Sequence, residues 1–522
     1  MESVFQNNET LRSYLSQLIL PQHLRGGASL EITQDVLSGY NTPGISLAVL
    51  PPTKTLEEYK RTELLTAAFG LRDCADPSSA VNADTVFQAA SISKPFTAMA
   101  VLRLVAARKL DLDADIGTYL ALNTKAAIQR QTLHHSALVN PEIAPQTPIT
   151  LRLLLAHRSG LSTVSGLPGY REELQVPSTV ATINGEAPAN HRPIRAFTIP
   201  GLGTSYSGGG TTLVQHILML VTGKPFPELM DELVLGPLGM KQSTYEQRLE
   251  SNQARAHHSA HQAYPDLKMG MKYPEMAAAG LRTTPSDLAR GLRAVYDCLL
   301  GLNDFLPSNL VLEAFTEFGG WGGYGVGWAV EALKTNDGFK RVIIGHGGSN
   351  QGFQCNLKLV GDIPTDTRTP TKPPFVLAWM TNCDYGPLLG NRLTSAFGWI
   401  IEEHLKDTFV QLYFPALART PEEMAKVNRQ IQGWQQWVGK WRMSENGKAM
   451  FEISEVDSLP MLRVSTFDGA LLLLPAACYK PDAIVWTVRD MDVSVSMKKS
   501  KEEKLSLEVM QNFNTYAAER VE

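Results

Sequence analysis

A chain of 522 residues, 43% hydrophobic and 19% charged, has the composition of a globular protein with room for a sizeable core and two domains. Its net charge of -4 argues against nucleic acid as the main partner, because nucleic acid wants a basic face. The five cysteines (Cys74, Cys298, Cys355, Cys383, Cys478) are scattered and contain no C-x-x-C pair, which speaks against a zinc site or a disulfide framework.

In chain order, Met1 to Asn7 lacks a positive segment followed by an apolar run, and no uncharged stretch is long enough to span a bilayer. The expectation is a cytoplasmic chain with no membrane partner. Leu11, Leu15, Leu18 and Ile19 recur at helical spacing. Pro43 to Leu50 predicts a buried strand and Glu63 to Gly70 its hairpin partner, with a polar, Pro-rich loop between them.

Gln88-Ala89-Ala90-Ser91-Ile92-Ser93-Lys94-Pro95-Phe96-Thr97 then leads into a helix so apolar that it must be central. Ser91 and Lys94 form an S-x-x-K pair. Three positions apart on a helix is one face, so hydroxyl and amine can meet. A helix starting near Ser91 also leaves that residue's N–H unpaired, and Pro95 suits a first turn. A serine needs a base to become a nucleophile, and a lysine serves as one only if its pKa is lowered.

Leu110 to Asp115 carries three alternating acids but lacks the glycine and closing glutamate of an EF-hand, so a solvated turn is expected. Leu151 to Leu161 predicts a short helix stopped by Gly160, with His157 at its end in a structural role. Ser162 to Pro200 predicts a long loop, a frequent source of binding surface. Gly201 to Gly210 is Gly-rich and precedes helical spacing at Leu213, Ile217, Leu218 and Leu220. It lacks the lysine of a phosphate-binding loop, and Tyr206 is its residue of interest. His257, His258 and His261 lack the glutamate of a metalloprotease motif and are expected in a polar loop, so no metal is assigned. Thr283 or Thr284 should cap a helix with Pro285 in its first turn.

Gly319 to Glu331, Arg341 to Phe353 and Phe375 to Asn382 read as three adjacent antiparallel strands. The glycines after His346 let a substrate lie close to the backbone. Thr420-Pro421-Glu422-Glu423 is a capping box for a helix ending near Trp437. From Val438 onward, short apolar runs alternate with turns: 450–453, 461–464, 470–474, 483–488, 493–497 and 505–510. That pattern predicts a small all-β domain, giving domains 1–415 and 416–522.

Ser91-x-x-Lys94, Tyr206-Ser207-Gly208 and His346-Gly347-Gly348, in this order, resemble the penicillin-recognising serine hydrolases. These include class C β-lactamases, D,D-peptidases, D-aminopeptidases, family VIII-type esterases and related acyltransferases. The resemblance covers about residues 30–405, with matching flanks at Leu151 to Leu161 and Gly280 to Leu288. It implies an α+β fold: a β-lactamase-like antiparallel sheet flanked by helices, with an all-helical subdomain. The terminal domain resembles the lipocalin-like appendage of some D-aminopeptidases.

By resemblance, Ser91 would form an acyl-enzyme, with Lys94 and Tyr206 sharing the base work and Tyr206 acting as phenolate or proton relay. The N–H groups of Ser91 and Ser349 would form the oxyanion hole, with His346, Gly347, Gly348 and Gly208 lining the substrate. No cofactor is implied. The partner is a small-molecule substrate, and the oligomeric state is left open. Two departures bear on the substrate. Gly208 stands where the family usually has Asn, and His346 where β-lactamases and D,D-peptidases have Lys. A largely neutral imidazole suits a substrate carboxylate less than a permanent cation does. Esters, thioesters and small amides are favoured over β-lactams. An acyltransferase on the same scaffold is the alternative, and a non-catalytic binding protein is a third.

Overall fold

The computed structural model describes residues 4–19, 37–53, 55–120, 148–161, 169–196, 199–248, 251–318, 323–334, 339–364 and 373–405, then 434–443, 450–456, 459–464, 470–475, 483–488, 493–499, 505–511 and 514–521. The chain divides into two units at Gly386/Pro387. The boundary expected at 415/416, and the capping box at Thr420, lie outside the described residues.

The first unit is built on strands β1 (Gly44–Leu50) and β2 (Leu65–Gly70), joined later in the chain by β7 (Ala329–Lys334), β8 (Phe339–Asn350), β9 (Phe353–Pro364) and β10 (Phe375–Thr381). They form one six-stranded sheet in the order β2-β1-β10-β9-β8-β7, and each neighbouring pair is antiparallel. β1 and β10 are mostly apolar, with Ser46 and Thr381 the exceptions, because every residue in each is buried. Of the three strands expected to be adjacent, β7 and β8 pair as expected, but β10 stands apart. β9 separates β8 from β10, and the stretch 323–328 is not strand, so β7 starts only at Ala329. β9 alternates buried Phe353, Cys355, Leu357 and Leu359 with half-exposed Gln354, Asn356 and Lys358, the period-2 pattern of a strand.

Helix α1 (Asn8–Ile19) precedes the sheet. The expected loop after β1 contains α2 (Leu56–Arg61), started by a capping box. In that box Thr55 Oγ accepts from Glu58 N, and Glu58 returns the bond to Thr55 N. The S-x-x-K segment runs from a two-residue strand β3 (Phe87–Gln88) through a 3₁₀ turn (Ala90–Ile92) into α3 (Ser93–Ala106). The helix therefore starts two residues after Ser91. Every residue of α3 from Ser93 to Leu104 except Arg103 is buried. Phe96 packs edge-on against buried Trp328, with ring centroids 6.0 Å apart. Full burial of side chains of this size contributes roughly 1.5–3 kcal/mol each.

Short helix α4 (Leu151–Leu155) ends at Ala156, not at Gly160, because His157 already takes a left-handed φ of 56°. The long loop after it holds α5 (Thr179–Asn184), capped by Ser178 and stopped by Gly185 at φ 64°. Residues 162–168 of that loop lie outside the described residues. α6 (Gly208–Thr222) is capped by Ser207, whose Oγ accepts from Gly210 N. The histidine stretch is a strand rather than a loop: β4 (His257–Ser259) pairs with β5 (Gln262–Ala263), and His257 is fully buried. A four-residue helix α7 (Met276–Ala279) and strand β6 (Arg282–Thr283) follow, with β6 pairing β3. α8 (Pro285–Asp297) is capped by Thr284 as expected, and lies across β1, β9 and β10.

Helix α9 (Gly386–Leu405) starts at the boundary, and all of it after Gly386 belongs to the second unit. Its β part is a closed antiparallel barrel of β11 (Gly439–Met443), β12 (Met450–Val456), β13 (Leu459–Val464), β14 (Ala470–Pro475), β15 (Ala483–Val488), β16 (Val493–Lys499), β17 (Leu505–Gln511) and β18 (Asn514–Arg520). Sequence periodicity gave the inner six. The flanking pair β11 and β18 closes the ring through Trp441↔Arg520 and Met443↔Ala518. Trp441, Phe451, Ile453, Val495, Met497, Leu507 and Ala518 are buried, the inward set of a small filled barrel.

Candidate active site

The site forms where the 3₁₀ turn bearing Ser91 meets the free edge of β8 and the turn before α6. Ala90 carries a positive φ of 47°, an uncommon conformation for a side chain, and it presents Ser91 at the start of buried α3. No described residue accepts from the Ser91 N–H. Lys94 is 3% exposed, and its Nζ donates to Ser91 Oγ at 3.0 Å and to the Ala278 carbonyl at 2.9 Å. Burial alone lowers its pKa to about 7. A lysine in that state is neutral often enough at physiological pH to take a proton.

Tyr206 closes the other side of Ser91. The residue is 37% exposed, but its inward-facing hydroxyl hydrogen-bonds Ser91 and its ring lies 4.8 Å from Lys94 Nζ. Burial pushes its pKa up, neighbouring Tyr324 adds to that, and the Ser91 hydrogen bond opposes it. Tyr206 is therefore a neutral phenol in the free site, which favours the relay over the phenolate.

His157 positions Tyr206. Its Nδ1 accepts from Ser207 N at 3.2 Å, its carbonyl accepts from Ser205 N at 2.7 Å, and its ring lies against Tyr206 with centroids 4.3 Å apart. Burial, then the charge of Lys94, then His346 hold His157 well below the ordinary histidine pKa, so it stays neutral. The left-handed turn at His157 aims the ring into the site, and the structural role expected of it holds. Gly208 is the first residue of α6 and offers no side chain to a substrate.

β7 leaves β8 after Gly345, and among the described residues no strand pairs that edge of the backbone beyond it. The two-residue turn Gln351-Gly352 closes the β8–β9 hairpin on the pair Asn350↔Phe353. In such a hairpin that pair exchanges hydrogen bonds, and alternation turns the N–H of Ser349 outward, toward the free edge. Gly348 is where this edge meets the nucleophile's turn. A Cβ there would sit 2.3 Å from the Ala89 carbonyl oxygen, so only glycine lets the two backbones approach. His346 Nδ1 bonds the Gly347 carbonyl at 2.6 Å, so Nδ1 carries the proton and Nε2 is a lone-pair acceptor. Nε2 is buried with no partner among the described residues, and burial next to Lys94 lowers the pKa to about 4. His346 is neutral at pH 7.

Ser91, Lys94, Tyr206, His346, Gly347, Gly348 and Ser349 are thus gathered at one place. Sequence reasoning missed Tyr324, whose ring stands 4.8 Å from His157 and 6.2 Å from both Tyr206 and His346. It also missed Glu275, which begins the α7 segment. Both its oxygens are buried without a hydrogen-bond partner, His191 Nε2 lies 3.7 Å away, and burial raises its pKa to about 8. Tyr324 lies inside the glycine-rich stretch Gly319 to Glu331 and Glu275 five residues before the Gly280 to Leu288 flank, and neither carries a motif of its own.

Asp73, Cys74 and His257 bring three potential metal-binding atoms within 4.8 Å of one another. His257 Nε2 there already accepts from Cys74 N, and Nδ1 bonds the Arg255 and Asn382 carbonyls, so the imidazole has no lone pair left for an ion. Among the described residues no helix is long and apolar enough to cross a membrane.

A family model described as Beta-lactamase matches residues 31–395. Esterase EstB of Burkholderia gladioli is 26% identical over 271 residues, which is 49% of this chain and 59% of that protein. Lovastatin esterase of Penicillium rubens is 29% identical over 169 residues, covering 31% of this chain and 40% of that protein. The matched stretches therefore span less than two thirds of either relative. Among solved structures, the octameric penicillin-binding protein homologue from Pyrococcus abyssi superposes with a TM-score of 0.52 at 17% identity, over 92% of this chain and 97% of its own. SurE superposes with a TM-score of 0.50 at 18% identity, over 98% of this chain and 99% of its own.

Proposed function

The chain belongs to the beta-lactamase family, and from that premise we propose that it is a serine hydrolase opening ester, thioester or small amide bonds through an acyl-enzyme on Ser91. The observation that carries this is the buried Lys94 amine, 3.0 Å from Ser91 Oγ with its pKa lowered to about 7. A lysine without that function would keep its charge in solvent.

Lys94, neutral, takes the Ser91 proton as Oγ bonds to the substrate carbonyl carbon. The carbonyl oxygen becomes an oxyanion between the N–H groups of Ser91 and Ser349, and each donor contributes about 3 kcal/mol to the barrier reduction. The C–O, C–S or C–N bond then breaks. The leaving group receives the proton from Lys94 through the Tyr206 hydroxyl, since both touch Ser91 Oγ. Water, deprotonated by the same pair, attacks the acyl-enzyme and restores Ser91.

The neutral His346 and the bare Gly208 supply neither a cation for a substrate carboxylate nor an amide for a substrate amide. That supports ester-like chemistry over β-lactam opening, in line with the esterases among the relatives.

Intact-mass measurement tests the reading with p-nitrophenyl esters, a D-amino-acid amide, an acyl thioester and a cephalosporin. Turnover or an adduct that disappears in Ser91→Ala establishes the acyl-enzyme and ranks the substrates. An adduct that clears only with added alcohol or amine makes the chain an acyltransferase. No Ser91-dependent adduct with any member, and no labelling by a fluorophosphonate, would overturn catalysis.

A further inference from the structure

We propose that Asn350 is a positioning residue that sets the spacing of the two oxyanion donors by tying the β8 edge to the nucleophile's strand. The inference rests on the proposed hydrolase chemistry and extends it to a residue outside the three motifs.

Asn350 is the last residue of β8, next to Ser349, and is 5% exposed. Its Nδ2 donates to Gln88 Oε1 at 2.8 Å and to the Ala279 carbonyl at 3.3 Å. Gln88 lies in β3, three residues before Ser91. The orientation of Gln88 is not free. Its Nε2 donates to the carbonyls of Met269 and Met271, at 3.0 and 2.9 Å. Gly270, at φ 77°, wraps that amide so closely that a Cβ there would sit 2.5 Å from Nε2. With both Gln88 donors spent on those carbonyls, only its oxygen can face Asn350. Asn350 must therefore answer with its amide nitrogen.

The second Asn350 bond reaches the segment that organises the rest of the site. Ala277 O accepts from Thr97, Ala278 O from Lys94 Nζ, and Ala279 O from Asn350. Leu281 N then donates to Ser93 Oγ, and Leu281 O accepts from Ala89 N. One side chain thus joins three pieces: the strand before Ser91, the edge carrying the Ser349 N–H, and the carbonyl next to the Lys94 anchor. Releasing it lets the two donors separate without removing either. A misplacement of about 1 Å in such a constellation costs on the order of 100-fold in rate.

Asn350→Asp replaces the donor with a carboxylate facing two carbonyl-type oxygens. When protonated, the same side chain can donate one hydrogen and restore the bond to Gln88. With a p-nitrophenyl ester at pH 8, kcat/KM should fall roughly 30- to 100-fold, mostly through kcat. The deficit relative to the parent should shrink several-fold at pH 5.5. Asn350→Ala should lose roughly 10-fold, equally at both pH values, because it has no proton to regain. Fluorophosphonate labelling of Ser91 should slow in the same proportion in each variant. A loss confined to KM, an Asp deficit that does not change with pH, or either variant within threefold of the parent at pH 8 would overturn the proposal. If the Asp variant does not fold, the Ala variant decides it by the same kcat and labelling criteria. A parent protein that does not label at Ser91 would instead overturn the hydrolase reading, and this inference with it.

Discussion

Two buried histidines of the first unit, His257 and His346, behave oppositely. Around His257, every polar atom of the imidazole is spent: Nε2 accepts from Cys74 N and Nδ1 bonds two carbonyls. Around His346, Nε2 is buried and unpartnered. A few residues from the Lys94 anchor, Glu275 leaves two oxygens in the same condition. Leaving a buried polar group unpaired costs roughly 1–3 kcal/mol. The His257 imidazole has relieved that cost with internal hydrogen bonds, although Asn382 Oδ1 and Arg255 Nε beside it have no partner among the described residues. The Ser91 region keeps open valences and a lysine with a lowered pKa, which is what a site facing a reacting molecule needs. The distinguishing mark is an unspent imidazole nitrogen beside a lysine with a lowered pKa, and the count of histidines says nothing about it.

The contrast breaks most visibly at Lys94. Lys94→Met should lower kcat/KM by about 10³-fold or more, since it removes the base from an intact pocket. In the parent, the neutral amine is the active form, so kcat/KM should rise with pH through about 7 and fall below it. A pH profile that is flat from 5 to 9 would mean that Lys94 is not the base.

His257→Ala sharpens the other side. It strands the Cys74 N–H and two carbonyls in the interior. Denaturant unfolding should show a loss of about 2–3 kcal/mol, while kcat/KM of the folded protein stays within about twofold. An activity loss larger than the stability loss can explain would give that region a catalytic role.

The smallest effect belongs to Glu275. Its folded pKa is raised to about 8, so the folded state holds a proton that the unfolded chain gives up near pH 4.5. Its contribution is full below that unfolded value and is lost as pH rises through about 8. Glu275→Gln should therefore be neutral at pH 5 and stabilising by on the order of 1–2 kcal/mol at pH 9, read as a shift in Tm. A variant equally destabilised at both pH values would mean that the carboxylate is paired in solution.

How much of this was legible in the sequence differs by what each residue uses. Ser91, Lys94 and His346 carry their chemistry on side chains in short motifs, and the Ser91–Lys94 spacing survives even though Ser91 sits on a 3₁₀ turn rather than on the helix itself. The strand β9 was missed although its alternation is plain, because it follows β8 after only two residues and its outward positions are polar. α2 was missed because a six-residue helix carries little periodicity, and the Thr55–Glu58 capping box was its one mark. The barrel's inner strands were legible from apolar runs, but its closure was not, because pairing of the first strand with the last leaves no local trace. The Ala277 to Leu281 segment was invisible as machinery: it works through carbonyls and N–H groups, which nearly every residue has.

That last segment has a consequence for how the protein can change. An anchor made of main-chain atoms does not depend on which letter occupies its position. The carbonyl that holds Lys94 would be supplied as well by serine as by Ala278. The lysine anchor and the choice of side chains around it are therefore separate variables. Substitutions at the three buried alanines, Ala277 to Ala279, can change the packing beside Lys94 while its amine stays moored. A shift of the backbone itself, by an insertion or a proline, would move the lysine anchor, the Ser93 tie and the Asn350 brace together.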